Sequence, residues 1–313
     1  MWAYALKRIV SAIPTMILAS VMVFGLMRLI PGDPAMLFIG EIDDPAVLEA
    51  KRRELGLDQP LVMQYLNWAG GMLRGDMGVS VQTGRPVAGE IAAAFPVTAI
   101  VVVVATALAA LVAIPAGIVA GWKQNSKTDA TIVSIATLCL SIPGFWTALL
   151  LLTFLGAKWK LLPTVGYVSV FDDARAGAIY LIMPVIALVL TEVAVLTRMS
   201  RASTIEVMGL EYVTHARAKG MGERRVLWRH VFPNAFAPTL TVLGLILGHL
   251  LGGVVVIEQM FSLPGLGRLM VGAIFARDYA IVQGVLIFIV VIYVVLNTVI
   301  DLLYPVFDPR VKL

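Results

Sequence analysis

The sequence predicts an all-α polytopic membrane protein with six transmembrane helices. Three observations carry this. Only 14 % of the 313 residues are charged and 59 % are hydrophobic, whereas soluble domains carry roughly a quarter charged. Six stretches are apolar and long enough to cross a bilayer, which takes about 20 residues: 9–30, 95–121, 130–157, 177–197, 232–257 and 279–300. The one strongly basic segment, 198–235, lies between two of them.

Lys7 and Arg8 precede the first stretch, as they would in a signal peptide. The charge-free run 9–27 exceeds the roughly 7–15 residues of a signal-peptide core, so it reads as a retained span. The segment 31–94 reads as an outer helical segment. Asp43-Asp44-Pro45 marks a helix start with proline at the first position. Glu49 and Arg53 stand four apart in the favourable order, and Gly56 can end the helix. A second start at Gln59-Pro60 puts Leu61, Tyr65, Trp68 and Met72 on one face. Two amphipathic helices against the outer membrane face, or on neighbouring subunits, are expected.

Within the spans, Pro14, Pro96, Pro115, Pro143 and Pro184 predict kinks or helix starts. Gly244, Gly248 and Gly252 recur every four residues, with Gly253 beside them, a spacing that lets helix backbones approach closely in lipid. This seam serves either packing inside the chain or contact with a second membrane subunit. Glu192 lies about two turns from the end marked by Arg198. Acids at membrane depth face the protein interior or a wet cavity, which makes Glu192 a candidate pathway residue. Arg28 is near enough to a surface to snorkel, and His249 reads as a packing residue.

Positive charge sets orientation. With the N-terminus inside, the inner segments hold Lys7, Arg8, Lys123, Lys127, Arg310 and Lys312. They also hold the basic set Arg198, Arg201, Arg217, Lys219, Arg224, Arg225 and Arg229. The short outer loops then hold only Lys158, Lys160, Arg175, Arg268 and Arg277. Both termini are therefore expected in the cytoplasm. The expected division is a tail and first span (1–30), an outer segment (31–94), the remaining spans with their basic loop (95–304), and a tail (305–313).

Several chemistries are absent from the pattern. His215, His230 and His249 have no metal-ligand spacing, and Cys139 stands alone, so no intrachain disulfide is available. No His-Glu-x-x-His, Gly-x-Ser-x-Gly or nucleotide phosphate loop occurs. Nothing reads as an enzyme, no channel filter is visible, and a net charge of +4 makes no case for nucleic acid.

The chain resembles the membrane subunits of binding-protein-dependent ABC importers, in their dipeptide/oligopeptide (and nickel) branch. That family carries Glu-Ala-Ala, three residues, Gly, nine residues, then Ile-x-Leu-Pro. Here Ala216 and Gly220 fit, with His230, Val231, Phe232 and Pro233 at the far end. Thr214 and His215 depart from it, while Tyr212-Val213 and Ala216–Gly220 follow the peptide branch. Further matches are Leu29-Ile30-Pro31-Gly32-Asp33-Pro34, Leu55–Pro60 with Gln64-Tyr65, Gly75–Ser80, Leu250–Gly253 with Glu258, Pro264–Gly267, Asp301–Tyr304 and Asp308-Pro309-Arg310.

The resemblance implies a type I importer half-pore in the bacterial inner membrane. A second permease subunit, two cytoplasmic ATP-binding subunits and an extracytoplasmic solute-binding protein would be its partners, beside membrane lipid. ATP and Mg would be bound by those partners, with no cofactor held directly. The loop 198–235 would couple to the ATPases through Tyr212, Thr214, His215, Ala216, Arg217, Ala218, Lys219, Gly220, Arg224, Arg225 and Pro233. The small Ala216, Ala218 and Gly220 would let a short helix sit deep in a groove. Arg217, Lys219, Arg224 and Arg225 would pair with acids around it. Cargo would be di- or oligopeptides, with nickel or other small solutes as the alternative. An ion-coupled secondary transporter using Glu192 is the competing reading.

Overall fold

The structure, a computed structural model, describes residues 2–29, 35, 36 and 44–307. Asp43, the stretch Ile30–Pro34, and the C-terminal Asp308-Pro309-Arg310 with Lys312 lie outside the described residues. The described chain is helical almost throughout, and its one β contact is an isolated bridge between Val79 and Pro86. In order, the helices are α1 (Trp2–Leu29), α2 (Pro45–Glu54), α3 (Leu61–Leu73), α4 (Val87–Trp122), α5 (Lys127–Ser141), α6 (Gly144–Leu151), α7 (Ala174–Met208), α8 (Glu211–Ala218), α9 (Glu223–Val226), α10 (Phe232–Met260), α11 (Leu266–Phe275) and α12 (Tyr279–Phe307). Two π-helical turns, Leu152–Lys158 and Leu227–Val231, extend α6 and lead into α10.

Five helical stretches are long and apolar enough to span a bilayer. The predicted third span differs from expectation. Instead of one run over 130–157, α5 and α6 meet at 87° across Ile142 and Pro143. Proline supplies the reason: it has no N–H for the carbonyl four residues back, and it pushes the residue before it out of the helical region. Ile142 is extended, with φ −97° and ψ 118°. By contrast, α1, α4 and α7 continue as helix through Pro14, Pro96, Pro115 and Pro184. The second span also starts earlier than expected, since helix begins at Val87 and not at Phe95.

The residues group into two compact units, one of Lys7–Pro96 with Pro264–Val294 and one of Met1–Leu6, Val97–Leu263 and Val295–Leu313. In the first unit the two helices predicted within 31–94 form. The Asp44 side chain accepts from the Ala46 N–H at 2.9 Å and so caps α2. Gly56, at φ +65°, closes it. The predicted face of α3 packs in part on α1. Tyr65 and Trp68 stack on Phe24 of α1 with ring centroids 5.6 Å apart, and the Tyr65 hydroxyl lies 2.8 Å from the Ser20 hydroxyl. Leu61, one turn before Tyr65, is 61 % exposed. Asp278 ties the start of α12 to the turn before α4: its carboxylate accepts from the Ser80 hydroxyl at 2.6 Å.

In the second unit α7 is the central element. Its buried residues pack with α4, α6 and α10 around Met183, Leu196, Val101 and Val254. A Cβ at Gly117 would lie 2.6 Å from both Ser200 Cβ and the Thr197 carbonyl oxygen, and one at Gly121 would lie 2.7 Å from Thr204 Cβ. The two helices therefore touch backbone to backbone along this edge, the approach that small residues permit in lipid. Ser200 adds a hydrogen bond from its hydroxyl to the Ile114 carbonyl, 3.1 Å long. At the same end, Arg201 of α7 grips Asp129 of α5 with two bonds, Nε to Oδ1 at 2.6 Å and a terminal nitrogen to Oδ2 at 2.8 Å. A second buried carboxylate, Glu258 near the end of α10, accepts from the Thr98 hydroxyl of α4.

Asp129 is 4 % exposed. Removing its charge strands a partly covered guanidinium, a change that costs about 3 kcal/mol for pairs of this kind. Asp129→Asn is expected to lower the unfolding midpoint of the purified subunit. The swap Asp129→Arg with Arg201→Asp should recover part of the loss, read in the same melt. Equal stability of Asp129→Asn and the parent would show that the pair holds nothing together.

Candidate functional site: a braced basic elbow

The basic segment folds into a short helical elbow with its own small core. Gly209 ends α7, donating its N–H to the carbonyls of Ile205 and Glu206 at 3.3 and 3.1 Å. Leu210 is extended and turns the chain into α8. Gly220 closes α8 at φ +78°. Its N–H reaches the Arg217 carbonyl at 2.9 Å, and the Met221 N–H reaches that of Ala216 at 3.2 Å. This is a Schellman closure, which needs a residue that tolerates a positive φ. Gly222 then starts α9, receiving the N–H groups of Arg225 and Val226 at 2.9 and 3.1 Å. The wide turn Leu227–Val231 sits where Pro233 has no N–H to offer the Arg229 carbonyl.

Val207, Val213, Ala216, Val226, Val231 and Ala235 are buried together, with Trp122, Met208, Tyr212, Met221 and Leu227 around them. The elbow is thus fixed by apolar burial on its inner side. Tyr212 is half-buried, and its ring lies 6.5 Å from that of His230.

Three residues of the predicted coupling set are used within the chain, Tyr212 being packed on the inner cluster. Ala216 is 6 % exposed, so its small side chain serves this inner cluster. Arg217 is paired across the turn with Glu223, Nε to Oε1 at 3.0 Å and a terminal nitrogen to Oε2 at 3.3 Å. It also stacks over the Trp122 ring at the end of α4, 5.5 Å from the centroid. Thr214, His215, Ala218, Lys219, Gly220, Arg224, Arg225 and Pro233 are exposed. They leave a polar and basic outer face over an apolar inner one.

The glycine seam splits. Gly244 is buried against Ile300 of α12 within the chain, Gly248 is half-buried, and Gly252 is exposed with open space around it. Glu192 lies in α7, 4 % exposed and far along the chain from the elbow. The structure therefore makes one assembly of the elbow residues and leaves Glu192 and the seam apart from it. Trp122 and Glu223 were not singled out from the sequence as parts of the elbow. The signal available was a lone tryptophan at a span end and an acid mirrored with Arg217 about Gly220. Among the described residues no group of three His, Cys, Asp or Glu side chains gathers to hold a metal.

Long apolar helices carrying a braced, basic elbow define a polytopic membrane protein. Comparison with known proteins gives the family. The chain belongs to the binding-protein-dependent transport system inner membrane components, whose sequence pattern matches residues 113–313, and the N-terminal pattern of the same systems matches residues 1–103. A Brucella abortus (strain 2308) protein, provisionally named a peptide transport system permease, is 42 % identical over 312 residues, covering 100 % of this chain and 99 % of its own. The oligopeptide transport system permease protein AppB of Bacillus subtilis (strain 168) is 36 % identical, with both chains fully covered. The glutathione transport system permease protein GsiC of Escherichia coli O6:H1 is 37 % identical, covering 99 % of this chain and 98 % of its own. The protein is a permease subunit of an ABC importer, a multi-pass inner-membrane component and not an enzyme, and it works with other components of such a system.

A side chain at Gly220 must hold a positive φ, at a cost of about 1–2 kcal/mol. Gly220→Ala is expected to speed hydrogen exchange across 211–226 while α10 keeps its protection. Arg217→Ala should produce the same local loosening through the loss of its Glu223 and Trp122 contacts. Unchanged exchange in both variants would show that apolar burial alone holds the elbow.

Proposed function

We propose that the elbow is the coupling element through which partner ATPases drive this permease, and that the cargo is a di- or oligopeptide. The observation that carries the coupling role is the braced elbow itself. A short helix with its own core, a closed C-terminus and an exposed basic face is preorganised for docking, so little conformational freedom is lost on binding. Thr214, His215, Ala218, Lys219, Arg224 and Arg225 form the contact face, and the arginines and Lys219 meet acids on the ATPase. Ala216 and Arg217 act from behind, holding that face in place. The peptide cargo is supported by the printed names of the relatives, which specify peptide, oligopeptide and glutathione transport.

The full assembly is then this chain, a second permease subunit, two ATP-binding subunits below and a solute-binding protein outside. ATP and Mg belong to the partner ATPases. Both termini and the elbow lie in the cytoplasm, a placement supported by the surplus of Lys and Arg on that side. Gly252, exposed and open, contributes to contact with the second permease, whereas Gly244 serves the chain's own fold. Closure of the ATPase pair moves the elbow, and α7 and α10 transmit that movement to the spans. Glu192, buried in α7, is the candidate pathway residue; cargo selection rests largely with the binding protein.

Gly220→Arg should abolish both uptake and binding-protein-stimulated ATP hydrolysis while the subunit still inserts in the membrane. Undiminished uptake would reject the coupling role. Lys219→Cys should cross-link to an ATPase subunit in the assembled complex, and absence of any such product would count against the docking face. Glu192→Gln should leave ATP-driven uptake mostly intact; lost uptake in an intact complex would favour ion coupling through this carboxyl.

A further inference from the structure

A cavity of about 650 Å³ opens within the first unit, among α1, α2, α3 and the start of α12. Small-ligand sites occupy roughly 300–1,000 Å³. One face of α3 forms a wall, because Gln64, Trp68 and Gly71 recur at four and three residues. Phe24 and Arg28 of α1 and Tyr279 of α12 also line it. Both helices are spans by length and apolarity, and Arg28 and Tyr279 stand at their ends. The cavity therefore sits where lipid headgroups meet the apolar layer, the depth that Trp and Tyr favour.

Two polar atoms of the wall are left over. Trp68 Nε1 and Gln64 Oε1 are covered by the chain and have no hydrogen-bond partner among the described residues. Buried polar atoms ordinarily have one, so a donor and an acceptor here await a partner from outside the chain. Gln64 is held in place by its other end: its amide nitrogen donates to the carbonyls of Gln59 and Leu57 at 2.7 and 3.2 Å. The charges of the lining carry both signs. Lys51 and Glu54 pair with each other at 2.8 Å. Arg28 lies over the Phe24 ring, 5.2 Å from its centroid, and Asp76 accepts from the Gly78 N–H at 3.0 Å. Both side chains are exposed, and neither joins an ion pair among the described residues. The cavity thus offers one cation and one anion together with an orphaned N–H and an orphaned carbonyl oxygen.

We propose that this cavity binds the headgroup of a zwitterionic aminophospholipid, with the phosphate at Arg28 and the ammonium at Asp76. A guanidinium matches phosphate oxygens with two parallel donors, and a carboxylate accepts charge-assisted bonds from an ammonium. A free dipeptide carries the same two charges but no acyl chains. Met22, Leu26 and Leu29 on α1 are exposed and apolar, and they give acyl chains a surface on the same helix as Arg28. That surface favours the lipid, and the site depends in no way on the coupling role of the elbow.

The test uses the assembled transporter, purified in mild detergent and followed by native mass spectrometry as lipid is added. Phosphatidylethanolamine should be retained at a severalfold lower concentration than phosphatidylglycerol, which has the phosphate but no ammonium. Trp68→Phe keeps the ring and loses the N–H; it and Arg28→Gln should each weaken that retention severalfold. Asp76→Asn should erase the preference for phosphatidylethanolamine while phosphatidylglycerol binds as before, a split that a merely structural defect would not give. Should Arg28→Gln fail to assemble, the other two variants carry the result. Equal retention of the two lipids by the parent would overturn the proposal, as would retention unchanged in all the variants. Displacement of the lipid by excess alanyl-alanine would overturn the lipid as occupant and give the cavity to a free zwitterionic peptide. Uptake and ATP hydrolysis are not the readout, so failure here is distinct from failure of the permease reading.

Discussion

The unit that holds the elbow depends on how α7 is held against α4. Two helices in lipid gain nothing from expelling water, so their association rests on close contact and polar bonds. Gly117 and Gly121 let the backbones meet Ser200, Arg201 and Thr204, and the bidentate Arg201–Asp129 pair fixes α5 to the same end. The elbow hangs directly from that end through Gly209. Its core borrows Trp122 from the last turn of α4, so the same two helices support it twice.

Charge in the basic segment is divided between two tasks. Arg201 and Arg217 bind acids of their own chain, at Asp129 and Glu223. Arg224, Arg225 and Lys219 are exposed. An exposed pair such as Arg217–Glu223 contributes under about 1 kcal/mol. Its use lies in geometry, because together with the Trp122 stack it orients α8 against α4.

The spans were legible in the sequence because lipid imposes length and apolarity on each, a signal independent of tertiary detail. The caps at Asp44 and Gly56 were legible for a local reason as well: each satisfies backbone groups within a few residues. The break at Pro143 was not separable from Pro14, Pro115 and Pro184, since all remove one donor and only the neighbours decide whether a helix survives. The inward duty of Arg217 was hidden for another reason. Its stacking partner, Trp122, is nearly a hundred residues away, and helix-face reasoning does not cross a turn. Arg201 was legible only as one of the basic set because composition cannot show which acid meets which base.

The Schellman closure at Gly220 has a mechanical consequence. A loop held only by its two ends would bend under load and dissipate a push from below. Here the tip is pinned by backbone bonds to α8 and by buried valines to the roots of two long helices. Such a part is braced on both sides, with Met208 among the residues packed on its core. In the coupling role proposed above, the tip at Gly220 is where loosened backbone would separate the docking face from the helices behind it.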